Sequence, residues 1–299
     1  MNVAASVPAR RSIRGTAAAL LELTKPRIIL LLLITTVPAM ILARGGMPSL
    51  WLIAATLAGG TLAAGGANAI NQYLDRDIDR VMRRTRHRPL PAHRVDPRSA
   101  LAFGVALGAA GFAWLALLVN LLAATLAASA ILFYVIVYTV LLKRSTPQNI
   151  VIGGAAGAVP VLVGWAAATG TVAAPAWVLF AVVFLWTPPH FWALALKHAR
   201  DYEAAGVPML PVTAGPEATT RQILLYAVAV VAASGLLVPV AHMGWPYGAA
   251  ALVLGVWLVG QAIRLRSDRS VPTAMRLFRA SIWYLGLLFA AVAADALLR

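Results

Sequence analysis

The sequence predicts an all-α, polytopic membrane protein with nine transmembrane helices. Of its 299 residues, 61% are hydrophobic and only 12% are charged, whereas soluble domains are about half apolar. Apolar stretches of about twenty residues, the length that a helix needs to cross a bilayer, recur along the chain. The predicted transmembrane helices lie at 26–43, 50–70, 100–119, 121–142, 149–168, 173–195, 221–241, 246–263 and 278–297.

The basic residues lie in alternate loops between these stretches. Of the 25 Lys and Arg residues, all except Arg44 and Arg299 fall in one set of loops. Cytoplasmic loops of membrane proteins carry such an excess of positive charge. The sequence therefore predicts a multi-pass protein of the cell (inner) membrane, with a cytoplasmic amino terminus and an external carboxyl terminus. Topology and an anionic substrate account for the net charge of +15, so we expect no nucleic-acid partner.

The first twenty residues differ from the rest of the chain. They include Arg10, Arg11 and Arg14 and no acidic residue. We expect residues 1–20 to be a disordered basic tail in the cytoplasm and residues 21–299 to form one membrane domain. The chain contains no cysteine, which excludes disulfides, thiolate metal sites and a cysteine nucleophile.

Polar residues follow one another at intervals of four where the second apolar stretch ends. At this spacing Asn71, Asp75 and Asp79 share one face of a helix. Oxygen ligands on one face suit Mg²⁺, which commonly holds a substrate phosphate, and arginines such as Arg83 can bind the remaining phosphate charge. The alternative is a solvated helix end whose acids pair with neighbouring arginines. Asp77 faces elsewhere and is predicted to pair with an arginine.

A second polar cluster follows the sixth apolar stretch. Lys197 and Asp201 lie four residues apart, with His190 and His198 close by. Four predicted helices separate the two clusters, which predicts two similar four-helix halves plus a ninth helix and a site between the halves. A surface ion pair is the alternative for Lys197 and Asp201. For the two histidines the alternatives are a packed, hydrogen-bonded histidine and a loop histidine.

These motifs resemble those of the UbiA superfamily of intramembrane prenyltransferases, in particular its haem-modifying branch. The pattern Asn71-x-x-x-Asp75-x-x-x-Asp79 is similar to the diphosphate–magnesium motif of the superfamily. The stretches that resemble the haem branch include Leu23-Thr-Lys-Pro-Arg27, Leu142-Lys-Arg-x-Thr146-x-x-Asn149, Trp186-Thr-Pro-Pro-His-Phe-Trp192 and Asp201-Tyr202-x-x-Ala-Gly206-Val-Pro. One departure is Lys197, which stands where most of the superfamily has the first aspartate of a second pair.

The resemblance implies an enzyme that transfers the farnesyl group of farnesyl diphosphate to a vinyl group of haem b, adds water and releases diphosphate, giving haem O. It implies Mg²⁺ as cofactor, held by Asp75, Asp79 and Asp201 with Asn71 assisting. The residues expected to bind diphosphate are Arg27, Arg83, Lys143, Arg144 and Lys197. Those expected to contact haem are His190, His198 and Tyr202. The expected partners are the lipid bilayer and a downstream haem-modifying enzyme. Prenylation of an aromatic quinone precursor and cation-coupled secondary transport are the alternatives.

Overall fold

The computed structural model describes residues 13–299, and the side chains of all of them except Ile13, Arg14, Arg27, Ile28, Leu31 and Leu32. This part of the chain is helical and contains no β-strand. Its α-helices are α1 Ile13–Leu23, α2 Pro26–Arg44, α3 Leu50–Leu74, α4 Arg76–Val81, α5 Pro97–Leu118, α6 Leu121–Leu132, α7 Asn149–Thr169, α8 Ala174–Lys197, α9 Ala199–Ala204, α10 Leu210–Thr213, α11 Gly215–Val240, α12 Trp245–Asp268 and α13 Val271–Leu298. A π-helix, Phe133–Leu142, continues α6 without interruption.

Side-chain caps set several of the helix ends. The longest apolar run is divided at Asn120, whose backbone is extended. Its side chain accepts a hydrogen bond from the backbone N–H of Ala123 (2.8 Å) and donates one to the carbonyl of Ala166 in α7 (2.8 Å). Ser49 and Asp96 cap α3 and α5 in the same way. Each cap satisfies a backbone N–H that has no partner inside its own helix.

Eight helices in the described part of the chain are long and apolar enough to cross a membrane: α3, α5, α6 with its π-helical continuation, α7, α8, α11, α12 and α13. The chain is therefore an all-α, multi-pass membrane protein, as predicted. α2 has 19 residues, but its described apolar part, Leu33–Arg44, is shorter than the other spans. The count of nine transmembrane helices stays a prediction.

Helix packing repeats between the two halves of the chain. α3 packs against α5 and α5 against α6, just as α8 packs against α11 and α11 against α12. α3 and α8 are each followed by a six-residue helix, α4 and α9 respectively. α2 packs against α7 between the halves, and α13 packs against α2, α8 and α12. Both polar motifs therefore lie at equivalent junctions, α3–α4 and α8–α9.

Glycines allow α3 and α5 to approach closely. A Cβ atom on Gly66 would lie 2.6 Å from both the carbonyl oxygen of Gly104 and the backbone nitrogen of Gly108. Apolar burial does not drive helices together in lipid, so close backbone packing between small residues is a main source of association. This contact fixes α3, whose last turn carries Asn71.

α1 departs from the disordered tail predicted for residues 1–20. Residues 13–20 belong to this helix, in which Ala19 and Leu23 are fully buried. They pack with Ala69 of α3 and Ala100 of α5. Burial of these apolar side chains offsets the conformational entropy that the segment loses when it becomes ordered. Residues 1–12 lie outside the described residues.

Candidate active site

A cavity of about 480 Å³ lies among α2, α3, the π-helix, α7, α8 and α13. Small and apolar side chains form most of its wall, and Trp186 and His190 of α8 also line it. Its charged and amide side chains are concentrated where α3 ends. The charged and amide residues there are Lys25, Asn68, Asn71, Asp75, Asp79, Arg84, Arg88 and Lys143.

Asp75 lies at the break between α3 and α4 and is only 1% exposed. Its Oδ2 atom accepts hydrogen bonds from Asn71 Nδ2 (2.8 Å) and Lys143 Nζ (2.5 Å). Its Oδ1 atom is buried and has no hydrogen-bond partner in the described part of the chain. An unsatisfied buried oxygen of this kind is costly. A ligand that coordinates Oδ1 would remove that cost.

α4 brings a second carboxylate to the cavity. Asp79 is 2% exposed, and Arg88 Nη1 donates to both of its carboxylate oxygens, at 3.0 and 2.8 Å. The Thr85 hydroxyl donates to the Asp79 carbonyl (3.2 Å) and so holds the segment after α4 against the helix. Both carboxylates line the cavity although the helix that was predicted to carry them breaks at Asp75.

The π-helix directs Lys143 toward Asp75. The Lys143 N–H donates to the Tyr138 carbonyl five residues earlier, so each turn holds more residues than an α-helical turn does. The Thr139 hydroxyl donates to the Tyr134 carbonyl (2.8 Å) and accepts from Asn71 Nδ2 (3.0 Å). π-Helical segments are rare and frequent at functional sites. The apolar sequence of this segment does not distinguish it from an α-helix.

Lys25 reaches the same site from the turn between α1 and α2. Its Nζ donates to Asn71 Oδ1 (2.9 Å), and its backbone is left-handed, with φ of 55°, which is unfavourable for a residue other than glycine. The side-chain amides of Asn68 and Gln72 in α3 hold the turn. They donate to the carbonyls of the two residues that precede Lys25, at 2.9 and 2.8 Å. Burial, and next the charge of Arg88, lowers the pKa of Lys25 to about 7. A bound anion would favour its charged form.

This donor set fits a magnesium ion. Mg²⁺ prefers oxygen ligands and is usually held by one or two carboxylates together with substrate phosphates. Asp75 Oδ1 supplies a buried oxygen that lacks any other partner in the described chain, and Asp79 lines the same end of the cavity. Among the described residues no group of three or more His, Cys, Asp or Glu can hold a metal ion by itself. Water molecules and phosphate oxygens of a substrate would complete the coordination.

Several predicted diphosphate ligands lie away from the cavity. Arg83 and Lys197 are exposed and do not line it. Arg144 instead donates to both carboxylate oxygens of Asp77, at 2.7 and 2.8 Å, and these hydrogen bonds lower the pKa of Asp77 to about 2. Asp77 thus has an arginine partner, as expected, but that partner is one of the predicted diphosphate ligands. The side chain of Arg27 lies outside the described residues.

Asp201 does not join the other two carboxylates. Its Oδ2 atom accepts a hydrogen bond from the backbone N–H of Arg84 (3.4 Å) and lies 3.9 Å from His198 Nδ1. Neither Asp201 nor His198 lines the cavity, whereas Arg84 does. This arrangement departs from the expected third metal ligand, because α9 turns Asp201 toward the segment that follows α4. The next residue, Tyr202, is buried and lines the cavity.

His190 faces the cavity from α8. Its ring is stacked between Trp186, at 4.3 Å, and Phe278, at 4.4 Å between ring centroids. Its Nδ1 atom lies 2.8 Å from the Ser281 hydroxyl oxygen. The side chain is therefore packed and hydrogen-bonded, as the alternative interpretation expected, and it also lines the cavity.

Two arginines in the cavity wall were not among the predicted ligands. Arg84 and Arg88 belong to a run of basic residues that also contains Arg83 and Arg86. Their proximity to the acidic motif was visible in the sequence. Nothing in their spacing indicated which of them turn toward the cavity, because the run lies in a loop with no fixed period.

The sequence matches the UbiA prenyltransferase family over residues 32–292. The chain belongs to this family. It is therefore a membrane prenyltransferase. The acidic motif at the end of α3 lies at the charged end of the cavity.

Individual relatives extend the comparison. The chain is similar to the protoheme IX farnesyltransferase of Frankia alni, with 59% identity over 281 residues that cover 93% of this chain and 97% of that protein. The structure of a digeranylgeranylglyceryl phosphate synthase matches with a TM-score of 0.78 at 19% identity, covering 95% of this chain and 99% of the other. A UbiA homologue from Archaeoglobus fulgidus, bound to GPP and Mg²⁺, matches with a TM-score of 0.67 at 18% identity, covering 92% and 99%. At these identities the structural matches show a shared fold.

Proposed function

We propose that this prenyltransferase joins the farnesyl group of farnesyl diphosphate to a vinyl group of haem b and adds water, giving haem O and diphosphate. The name and 59% identity of the Frankia alni relative support this substrate pair. The structural observation that carries the proposal is one cavity with two different linings. Buried carboxylates and cations line one part, and His190 with aromatic rings lines another.

The charged end of the cavity is proposed to bind the diphosphate. Lys25, Lys143, Arg84 and Arg88 bring cations to it, and Asp75 with Asp79 is the proposed magnesium site. Bound Mg²⁺ supplies positive charge that stabilises the leaving diphosphate. Lys143 and Asn71 hold Oδ2 of Asp75, which fixes the direction of the carboxylate before substrate arrives. Preorganised charges of this kind stabilise a transition state without reorganisation at the moment of reaction.

Asp201 receives a different role in this proposal. Its carboxylate accepts from the backbone of Arg84 and thereby holds one of the cavity arginines in place. Asn71, Asp75 and Asp79 remain the proposed catalytic residues. Arg83, Arg144 and Lys197 are left as surface cations on the cytoplasmic side.

The proposed reaction begins when the carbon–oxygen bond of the prenyl diphosphate breaks and its electron pair leaves with the diphosphate. The allylic cation that remains accepts the π electrons of the vinyl group, so a carbon–carbon bond forms and the positive charge moves to the adjacent carbon. Water adds at that carbon and loses a proton, which gives the hydroxyl group. Tyr134 and Tyr138 line the cavity with stacked rings, 5.3 Å between centroids. Their faces can stabilise the first cation and exclude water from it.

The aromatic part of the cavity is proposed to bind haem. His190 is the candidate iron ligand because its ring lines the cavity and is held by neighbours on both faces. Trp186, Phe191 and Tyr202 add flat or apolar surface. His198 lies outside this lining and is not assigned a haem contact.

The protein is proposed to lie in the cell (inner) membrane with its amino terminus in the cytoplasm and its carboxyl terminus outside. This orientation follows from the loop charges and places the charged end of the cavity on the cytoplasmic side, where diphosphates and Mg²⁺ occur. Residues 21–299 are the proposed catalytic domain. A haem-modifying enzyme in the same membrane is the proposed recipient of haem O.

The proposal is tested by incubating membranes that contain the protein with haem b, farnesyl diphosphate and Mg²⁺, and analysing extracted haems by mass. Haem O should form, should disappear with a chelator and should return with added Mg²⁺. Membranes that contain the D75N variant are the control. Prenylation of 4-hydroxybenzoate without any turnover of haem would favour the quinone alternative and overturn the proposal.

A further inference from the structure

We propose that Ser281 is a positioning residue that fixes the tautomer and orientation of His190, so that Nε2 of the imidazole is presented to the haem iron. This inference rests on the proposed function, which places haem in the cavity. It concerns a serine on α13, ninety-one residues after the histidine, that no motif in the sequence marks. Its hydroxyl decides which nitrogen of His190 carries the proton.

The hydrogen bonds around Ser281 allow one neutral tautomer. Its Oγ atom lies 2.8 Å from the Phe278 carbonyl oxygen and 2.8 Å from His190 Nδ1. A hydroxyl has one proton, and a carbonyl oxygen can only accept. Both contacts are satisfied when Ser281 donates to the carbonyl and accepts from Nδ1–H. In the other neutral tautomer Nδ1 carries no proton, so the single proton of the Ser281 hydroxyl could satisfy only one of the two contacts.

The same serine also fixes the position of the ring. The Trp186 indole N–H donates to the Ser281 carbonyl oxygen (2.7 Å), so main chain and side chain of Ser281 hold two neighbouring aromatic residues of α8. The imidazole lies between Trp186 and Phe278, with interplanar angles of 20° and 24°. Ser281 is fully buried. Stacking on both faces prevents the imidazole from rotating away from its hydroxyl partner.

This arrangement leaves Nε2 with a lone pair. No group in the described part of the chain hydrogen-bonds Nε2, and Nε2 is not among the fully buried polar atoms that lack a partner. Because His190 lines the cavity, Nε2 is open to it. A neutral imidazole that donates one N–H to a fixed acceptor and keeps its other nitrogen free is the form that binds metals. The acceptor also raises the basicity of the ligand.

The tautomer can be measured in the full-length protein without haem. The chain has five histidines, so ¹⁵N spectra of histidine-labelled protein are simple, and the signals of His190 are those lost in the H190Q variant. We expect a protonated Nδ1 and an unprotonated Nε2. A protonated Nε2 would overturn the inference, and this measurement needs no variant of Ser281.

The role of Ser281 is tested by haem titration of purified variants. Ser281→Ala should weaken haem binding about 10- to 100-fold and shift the iron–histidine stretching band of ferrous haem to lower frequency. Ser281→Thr keeps the hydroxyl and should retain the band. Ser234→Ala is the matched control, since it removes a buried hydroxyl that bonds Tyr284 outside the cavity lining. It should leave the band and haem affinity unchanged.

The outcomes separate this inference from the proposed function. An unchanged band and haem affinity in Ser281→Ala would refute the positioning role while haem O synthesis by the wild-type enzyme continued. An unchanged haem spectrum in His190→Ala would refute iron ligation by this histidine and the inference with it. Failure of the wild-type protein to convert haem at all would instead refute the proposed function.

Discussion

The replacement Asp75→Asn removes one negative charge from the charged end of the cavity and keeps the shape of the side chain. The new amide oxygen can accept the same hydrogen bonds from Asn71 and Lys143 that Oδ2 accepts now, so we expect the protein to fold. Removing one preorganised donor from an oxyanion hole costs about 2.7–4 kcal/mol, or about 10²- to 10³-fold in kcat, and we expect the loss of a metal-binding carboxylate to cost at least as much. Asp75 is 1% exposed, so solvent does not screen it, and a loss in this range is expected.

Asp77→Asn is the matched control, because the same chemical change is made two residues away. The Asp77 side chain is 61% exposed and pairs with Arg144 at the surface. Exposed ion pairs contribute about 0–1 kcal/mol. Asp77→Asn should therefore change the rate of haem O formation less than about fivefold. The assay is the rate of haem O formation by equal amounts of purified protein, with the melting temperature of each variant measured in the same detergent.

The contrast between the two variants is decisive. Asp75→Asn protein that melts normally and keeps more than a tenth of wild-type activity would refute the assignment of Asp75 to the metal. Equal losses from both replacements would refute the argument from burial. A large fall in the melting temperature of Asp75→Asn alone would show that its charge stabilises the fold instead.

Three further predictions follow from the packing and topology. Arg88→Ala leaves a buried carboxylate unpaired and should destabilise the protein by about 3 kcal/mol. The melting temperature should fall, and added Mg²⁺ should partly restore it. An unchanged melting temperature, or no recovery with Mg²⁺, would contradict this prediction. Gly66→Ala forces a Cβ to within 2.6 Å of the backbone of α5 and should lower the melting temperature, whereas Gly235→Ala, with nothing within 4 Å, should not; equal effects would refute the packing argument. In a chain without native cysteine, Ser145→Cys should react with a maleimide only from the cytoplasmic side and Trp245→Cys only from outside; the reverse pattern would overturn the topology.

Much of the fold was predictable because it depends on local properties of the chain. A helix must present about twenty apolar residues to cross a bilayer, so hydropathy alone placed the predicted stretch 149–168 almost on α7, Asn149–Thr169. The repeat of two halves followed from the spacing between two polar clusters. The four-residue interval placed Asn71, Asp75 and Asp79 on the same cavity.

The disordered tail was predicted from charge, which carries no information about tertiary contacts. Residues 13–20 form part of α1 because Ala19 and Leu23 find apolar partners on α3 and α5. The π-helix was also not predictable from the sequence. Its side chains are as apolar as those of an α-helix, and its register is seen in backbone hydrogen bonds such as that from Lys143 to Tyr138.

The sequence by itself determined that Asp75 and Asp79 share the candidate site, whereas tertiary structure left Asp201 outside it and decided which cations meet the two carboxylates. Lys143 pairs with Asp75 across 68 residues of sequence, while its neighbour Arg144 turns to the exposed Asp77. Long, flexible cationic side chains in loops have no periodicity, so their direction is set by the helices that the loops join. Helix spacing repeats every 3.6 residues along one segment and can be read locally. The contact of Lys143 with Asp75 and the contact of Ser281 with His190 each join two distant segments of the chain. The distance between such segments is fixed only when the whole bundle packs.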